Sequence, residues 1–209
     1  MVRSAVLTDG ANQHVQVLRI DVGSDAVSQV EYVTAAAATA AVSVTPPARA
    51  GSDTAMRLKI GDKAPDFKLK DVMTGKTVTL SEYAGKKVVM LDFWATWCDI
   101  CKREMPNLVK LTTAWNPKGF ELLSIVLPSG NVNAIKKIVT DKKLTYPALL
   151  DADLAVATKL YGLAGPIPLK IVIDHKGVIR YSHVGDYPPG EDELPFVVED
   201  LVKEMGKGK

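Results

Sequence analysis

From Ile60 onward the apolar positions switch between two periods, and the switches outline a chain of alternating strands and helices. Phe67-Lys68-Leu69 and Val78-Thr79-Leu80 alternate apolar and polar residues on either side of Thr74-Gly75-Lys76. Alternation around a Gly-bearing turn predicts a β-hairpin. Val88-Val89-Met90-Leu91 continues to Phe93 as an apolar run broken only by Asp92. A run that short predicts a strand covered on both faces. Lys102 to Trp115 places Met105, Leu108, Val109 and Thr112 on one helical face and ends near Lys118-Gly119. Phe120 to Leu127 predicts the next, parallel strand. Val132, Ile135, Ile138 and Val139 mark a helix, and Leu154 to Tyr161 a second, short one. Leu169 to Ile173 and Val178 to Val184 predict a hairpin around Asp174-His175-Lys176-Gly177. Leu194, Val197, Val198, Leu201, Val202 and Met205 follow helical spacing and close the chain. The predicted class is α/β: a central mixed sheet flanked by helices, with an added N-terminal β-hairpin and a helical insertion.

The first part of the chain breaks this pattern. Val33-Thr34-Ala35 through Ala41-Val42-Ser43-Val44 is Ala-rich, then Thr45-Pro46-Pro47 and Ala48-Arg49-Ala50 follow. That order resembles a signal-peptide apolar region followed by an A-x-A cleavage site, which would leave Gly51 first. Met1 to Glu31 is long for the region that precedes such a segment. It carries Asp21, Asp25 and Glu31 rather than clustered lysines. A start site placed too early accounts for this; a flexible Ala/Pro tether is the alternative. The organisation read here is residues 1–55 as a signal-like or flexible segment and residues 56–209 as the folded domain.

Composition adds mainly exclusions. An apolar fraction of 47% suffices for a packed core. The 26 Lys and Arg against 24 Asp and Glu leave a net charge of +2, which selects no class of partner. No basic cluster is interleaved with aromatics, so nucleic-acid binding is unsupported. No apolar run approaches the ~20 residues of a membrane span.

The chemistry is concentrated in Trp97-Cys98-Asp99-Ile100-Cys101, which holds both cysteines of the 209-residue chain. The C-x-x-C pair falls where an apolar strand gives way to a helix. It closes too small a ring to constrain the chain, and the first sulfur lies at a helix N-terminus, where a thiolate is stabilised. Such a pair reads as a reversible dithiol, and its two sulfurs need no cofactor. A zinc site would need four ligands. His14, His175 and His183 are the only histidines and no two stand at ligand spacing, so no metal site is assigned.

The flanks carry a family resemblance. Asp92-Phe93-Trp94-Ala95-Thr96-Trp97-Cys98 resembles the active-site segment of the thioredoxin superfamily. Pro106, five residues past Cys101, matches the proline that kinks its active-site helix. Ile167-Pro168 with Leu169-Lys170-Ile171-Val172-Ile173-Asp174 resembles the segment bearing its cis-proline. Gly61-Asp62-Lys63-Ala64-Pro65-Asp66-Phe67 and Leu80-Ser81-Glu82-Tyr83-Ala84-Gly85 are similar to the peroxiredoxin and TlpA/ResA group. Cys101-Lys102-Arg103-Glu104-Met105-Pro106-Asn107-Leu108 points to TlpA/ResA/DsbE-like thioredoxins, within the AhpC/TSA-related redoxins. The peroxidatic motif P-x-x-x-[TS]-x-x-C is absent, because the positions before Cys98 hold Leu91 and Ala95 and those before Cys101 hold Trp94 and Cys98.

The resemblance implies a thioredoxin fold and a thiol–disulfide oxidoreductase. Cys98 is then the exposed nucleophile and Cys101 the buried resolving thiol. Asp92 occupies the place of a buried acid that takes the Cys101 proton; the alternative is a partly solvated strand-end carboxylate. Trp97, Ile167 and Pro168 would contact substrate. Trp97 offers an apolar shelf or simply packs, and Trp94 should face the core. Asp99, Ile100 and Pro106 would tune the couple, Asp99 by opposing the Cys98 thiolate unless it is only an N-terminal helix residue stabilised by the helix dipole. Two departures stand out. Lys170 lies where the group has small or hydroxylated residues, and either attracts acidic partners or is a solvated strand residue. Pro128-Ser129-Gly130-Asn131 lacks the acid that the group often carries after this strand.

The function implied is an extracytoplasmic or periplasmic reductase of protein disulfides, acting as a monomer in cell redox homeostasis. Apocytochrome c in cytochrome c maturation, or a copper-site protein, would be its substrate. A membrane thiol reductant of DsbD/CcdA type would supply electrons. The alternatives are a cytoplasmic thioredoxin-like reductase and a Cu(I)-handling thiol protein.

Overall fold

The computed structural model describes residues 2–8, 15–23, 26–27, 57–187 and 192–207. The chain divides into two units, Met1–Ala48 and Arg49–Lys209. In the first, β1 (Val2–Thr8), β2 (Val15–Gly23) and β3 (Ala26–Val27) form an antiparallel sheet in that order. These strands lie inside the segment read as signal-like or flexible, and the alternation in Val15-Gln16-Val17-Leu18-Arg19-Ile20 was their signal. The Ala-rich run and Ala48-Arg49-Ala50 lie outside the described residues.

The second unit holds a sheet of seven described strands. These are β4 (Lys68–Asp71), β5 (Thr77–Thr79), β6 (Val88–Trp94), β7 (Phe120–Val126), β8 (Ala148–Leu150), β9 (Leu169–Ile173) and β10 (Ile179–Val184). Their order is β10-β9-β6-β7-β8-β4-β5. β6, β7 and β8 run parallel; β9, β10, β4 and β5 join antiparallel. α1 (Asp99–Trp115), α2 (Val132–Asp141) and α3 (Leu194–Lys207) are the described α-helices. The α/β class and the mixed sheet flanked by helices are therefore as expected, and the N-terminal hairpin is β4–β5.

Every residue of β6 is buried, as a strand covered on both faces requires. Alternate side chains sort into two cores. Val89, Leu91 and Phe93 join Leu123, Ile125, Leu169, Ile171, Phe67 and Tyr161 on one face. Val88 and Met90 join Phe120, Leu122, Val172, Leu108 of α1 and Val198 of α3 on the other. Beyond Trp115 the chain turns through Gly119, whose φ of 102° is the left-handed geometry glycine tolerates. A Cβ there would also meet the Met205 side chain.

Three elements differ from the sequence reading. The segment Leu154 to Tyr161 is one π-helical turn, Ala155–Leu160, rather than a short α-helix. The fully buried Asp151 carboxylate accepts from the Val156 and Ala157 amides and holds this wider turn. β8 is an additional strand, three residues long, too short for periodicity to reveal. Leu80 does not extend β5 but begins a 3-10 turn, Leu80–Tyr83.

Candidate active site

The site forms where β6 ends and α1 begins. Cys98 is the N-cap of α1 and keeps extended backbone geometry. Its amide donates to the Ala95 carbonyl at 3.0 Å, closing the turn that leaves the strand. The neighbouring loop is clasped from α2's side of the sheet. Thr96 N donates to Ser129 Oγ at 2.9 Å, and Thr96 Oγ1 donates to the Ser129 carbonyl at 2.5 Å. The loop lacking an acid thus has a structural role, which is to fix the approach to the cysteines.

Cys98 and Cys101 form a disulfide, S–S 2.01 Å. The Cys101 amide donates to Cys98 Sγ at 3.2 Å. A donor aimed at the first sulfur, at the positive end of the helix, favours the thiolate after reduction. Cys98 is only 5% exposed and Cys101 2%. The expectation of an exposed Cys98 is corrected on this point. Ile167 covers it: the Ile167 carbonyl oxygen lies 4.0 Å from Cys98 Sγ, and the Ile167–Pro168 bond is cis. Trp97 beside it is 67% exposed and Trp94 fully buried, the division read from sequence.

Asp92 is 3% exposed, and its Oδ1 accepts no hydrogen bond from a protein group. Burial pushes its carboxyl up to about 7; Lys170 pulls it down and Glu104 pushes it up. The alternative of a partly solvated strand end does not hold. Lys170 is neither solvated nor free for acidic partners. It is 1% exposed, and its Nζ donates to Glu104 Oε1 at 2.9 Å and Oε2 at 2.7 Å. Burial raises the Glu104 carboxyl, against the pull of Lys170.

Asp99 projects into solvent from the first turn of α1 and pairs with Lys102 at 2.7 Å, which lowers its carboxyl. Ile100 is half-buried against the cysteine cluster. Pro106 lies inside α1 with its side chain exposed. The structure thus brings Cys98, Cys101, Trp97, Asp99, Ile100 and Ile167–Pro168 to one end of the sheet, with Asp92 beneath. Glu104 and Lys170 are the pair that the sequence reading did not join, since they stand on different elements.

A disulfide at the N-cap of a helix, facing a cis-proline loop at the end of a mixed sheet, defines a thiol–disulfide oxidoreductase domain of the thioredoxin superfamily. The AhpC/TSA family model matches residues 60–182, and the chain belongs to that family. It is 39% identical over 125 residues to the thiol-disulfide oxidoreductase ResA of Oceanobacillus iheyensis, covering 58% of this chain and 63% of that protein. A ResA of Bacillus cereus is 32% identical over 132 residues, 62% of this chain and 72% of its own. Among solved structures, a proposed thiol:disulfide interchange protein DsbE from Chlorobium tepidum matches with a TM-score of 0.63 and 30% identity, over 69% of this chain and 99% of that one. The thioredoxin domain of a Bacteroides vulgatus thiol-disulfide oxidoreductase matches with a TM-score of 0.60 and 28% identity, over 69% and 99%.

Proposed function

We propose that the protein reduces disulfides in other proteins, as an extracytoplasmic oxidoreductase of ResA/DsbE type. The observation that carries this is the Cys98–Cys101 disulfide at the α1 N-terminus with Ile167–Pro168 opposite and Asp92 buried beneath. In the reduced protein the Cys98 thiolate attacks one sulfur of a substrate disulfide. A mixed disulfide forms and the other substrate sulfur leaves as a thiolate. Cys101 then gives its proton to the Asp92 carboxylate and attacks Cys98 Sγ. The second substrate sulfur leaves, and the protein is left with the disulfide seen in the structure. Trp97 supplies an apolar contact beside the reacting sulfur, and the Ile167 backbone faces the bound chain.

Regeneration takes two electrons from a thiol donor, for which a membrane reductant of DsbD/CcdA type is the candidate. Apocytochrome c is a candidate substrate by resemblance to the TlpA/ResA group; the absence of an acid in Pro128-Ser129-Gly130-Asn131 argues against carrying over the group's cytochrome-specific role. No helix among the described residues is long and apolar enough to cross a membrane. The segment ending at Ala48-Arg49-Ala50 is the candidate export signal.

The direct test is insulin reduction in the presence of dithiothreitol. The wild-type chain accelerates it, and Cys98→Ala abolishes the acceleration. Full activity in Cys98→Ala would sink this reading. Disulfide-linked partners trapped on Cys101→Ser in the native host identify the substrates.

A further inference from the structure

Beneath α1 the sheet carries a row of polar residues where its core is otherwise apolar. Asp92 of β6 is paired in register with Lys170 of β9 on one side and Ser124 of β7 on the other. Residues paired in register point to the same face, and directly opposed Cβ atoms of antiparallel strands lie about 5 Å apart. This is the face occupied by Val88, Met90 and Val172, which α1 covers. From α1, Cys101 and Glu104 stand three residues apart, hence on one helical face, and Glu104 reaches Lys170. The resolving cysteine, the proton acceptor and a buried ion pair therefore share one interior layer.

Lys170 is fully engaged. Besides the two Glu104 oxygens, its Nζ lies 3.5 Å from the Gly185 carbonyl oxygen, so its three N–H donors each have an acceptor. The Tyr187 ring centroid is 5.1 Å from Nζ and stacks on His183 at 4.0 Å. The side chain of Lys170 is buried, 1% exposed. With no donor left for Asp92, Lys170 acts on it by charge alone, across an interior where charges are weakly screened.

We propose that Lys170 is a positioning residue of the redox site, whose ammonium, anchored on Glu104, keeps Asp92 in the form that accepts the Cys101 proton. This rests on the role of Asp92 proposed above. The groups facing Asp92 are Lys170 from β9, Glu104 from α1 and Tyr146 from the segment before β8. Those around the ion pair are Tyr187 and His183, then Asp186, Asp192 and Arg103 further out. Asp186 and Asp192 act on Glu104. Lys170 pulls the Asp92 carboxyl down and Glu104 pushes it up; of the two, Lys170 is the one paired in register with Asp92 on the adjacent strand. A neutral residue at 170 leaves Asp92 protonated at neutral pH, and the Cys101 proton then has no buried acceptor.

The test is a carboxyl 13C NMR titration of the full-length disulfide form, in which no thiol titrates. Asp92→Asn assigns the resonance. In Lys170→Met the Asp92 midpoint rises by roughly one pH unit, tenfold in acid dissociation, and resolution of the mixed disulfide at neutral pH slows about fivefold. Lys170→Arg, which keeps the charge, retains the wild-type midpoint. Should Lys170→Met not fold with Glu104 left unpaired, Glu104→Gln/Lys170→Met is compared with Glu104→Gln, and the same upward shift is expected. An unmoved midpoint, or a shift in Lys170→Arg as large as in Lys170→Met, overturns the proposal. If Cys98-dependent insulin reduction persists alongside, only the role of Lys170 falls; if that reduction is also absent, the functional reading falls with it.

Discussion

Asp92 is a carboxylate placed where ionisation is costly, and its consequence for stability has a definite sign. Its carboxyl is raised from 3.8 to about 7 by burial. Below about pH 4 the group is neutral in both folded and unfolded chains and imposes nothing. Between about pH 4 and 7 the unfolded chain has ionised and the folded chain has not, so stability falls as pH rises, by up to about 4 kcal/mol. Asp92→Asn removes that burden. Urea unfolding should show the variant more stable than wild type at pH 8.5 and little changed at pH 4, while disulfide reduction slows. A uniform offset at both pH values would contradict the buried-acid account. Asp99 makes a smaller contribution, because its charge is exposed and already paired with Lys102. Asp99→Ala removes an anion near Cys98 and frees a cation, and both changes favour the thiolate. The couple should become more oxidising on equilibration with glutathione; a more negative potential would reverse the assignment.

At the scale of elements, the cysteines are held by a strand end, a helix cap and a clasp between two loops. The clasp tests whether that geometry matters apart from the sulfurs. Ser129 is buried, and its Oγ accepts from Thr96 N and donates to the Leu127 carbonyl. Ser129→Ala leaves the Thr96 amide without that partner. The expected loss is about 1–2 kcal/mol in unfolding free energy, with slower insulin reduction and the disulfide intact. Unchanged kinetics would show that the loop needs no anchor. What was legible in sequence follows the same division. The β6 run, the α1 stripe and the Cys98 and Ile167–Pro168 positions were readable because each is a local pattern. The Glu104–Lys170 pair was not, because a helix residue and a strand residue 66 positions apart meet only through packing. Lys170 in Leu169-Lys170-Ile171 looked like the polar member of an alternating strand; the β9 burial pattern is instead continuous. The π-turn at Ala155–Leu160 was hidden for a related reason: Asp151, outside the apolar stripe, is what shapes it.

At the scale of the molecule, the family match begins at residue 60, and the fold it covers is built from elements that follow that point. Deleting Met1 to Ala50 should leave its melting temperature and reductase activity unchanged. A lowered melting temperature would show that the first unit supports the second. N-terminal sequencing of the protein from its native host tests export: a terminus at Gly51 supports it, and an intact Met1 in the cytosol refutes it. The placement of the disulfide has a further consequence for traffic. Cys98 is 5% exposed, beside Trp97 and the Ile167 carbonyl, and in the function proposed above it is the one sulfur through which both electron donor and electron acceptor react. The two partners therefore cannot be seated together. Turnover should be ping-pong, with parallel double-reciprocal plots against donor and acceptor. An excess of a folded, oxidised acceptor that only docks beside Cys98 would slow re-reduction by competing with the donor, so supply and demand for electrons would regulate each other at a single gate.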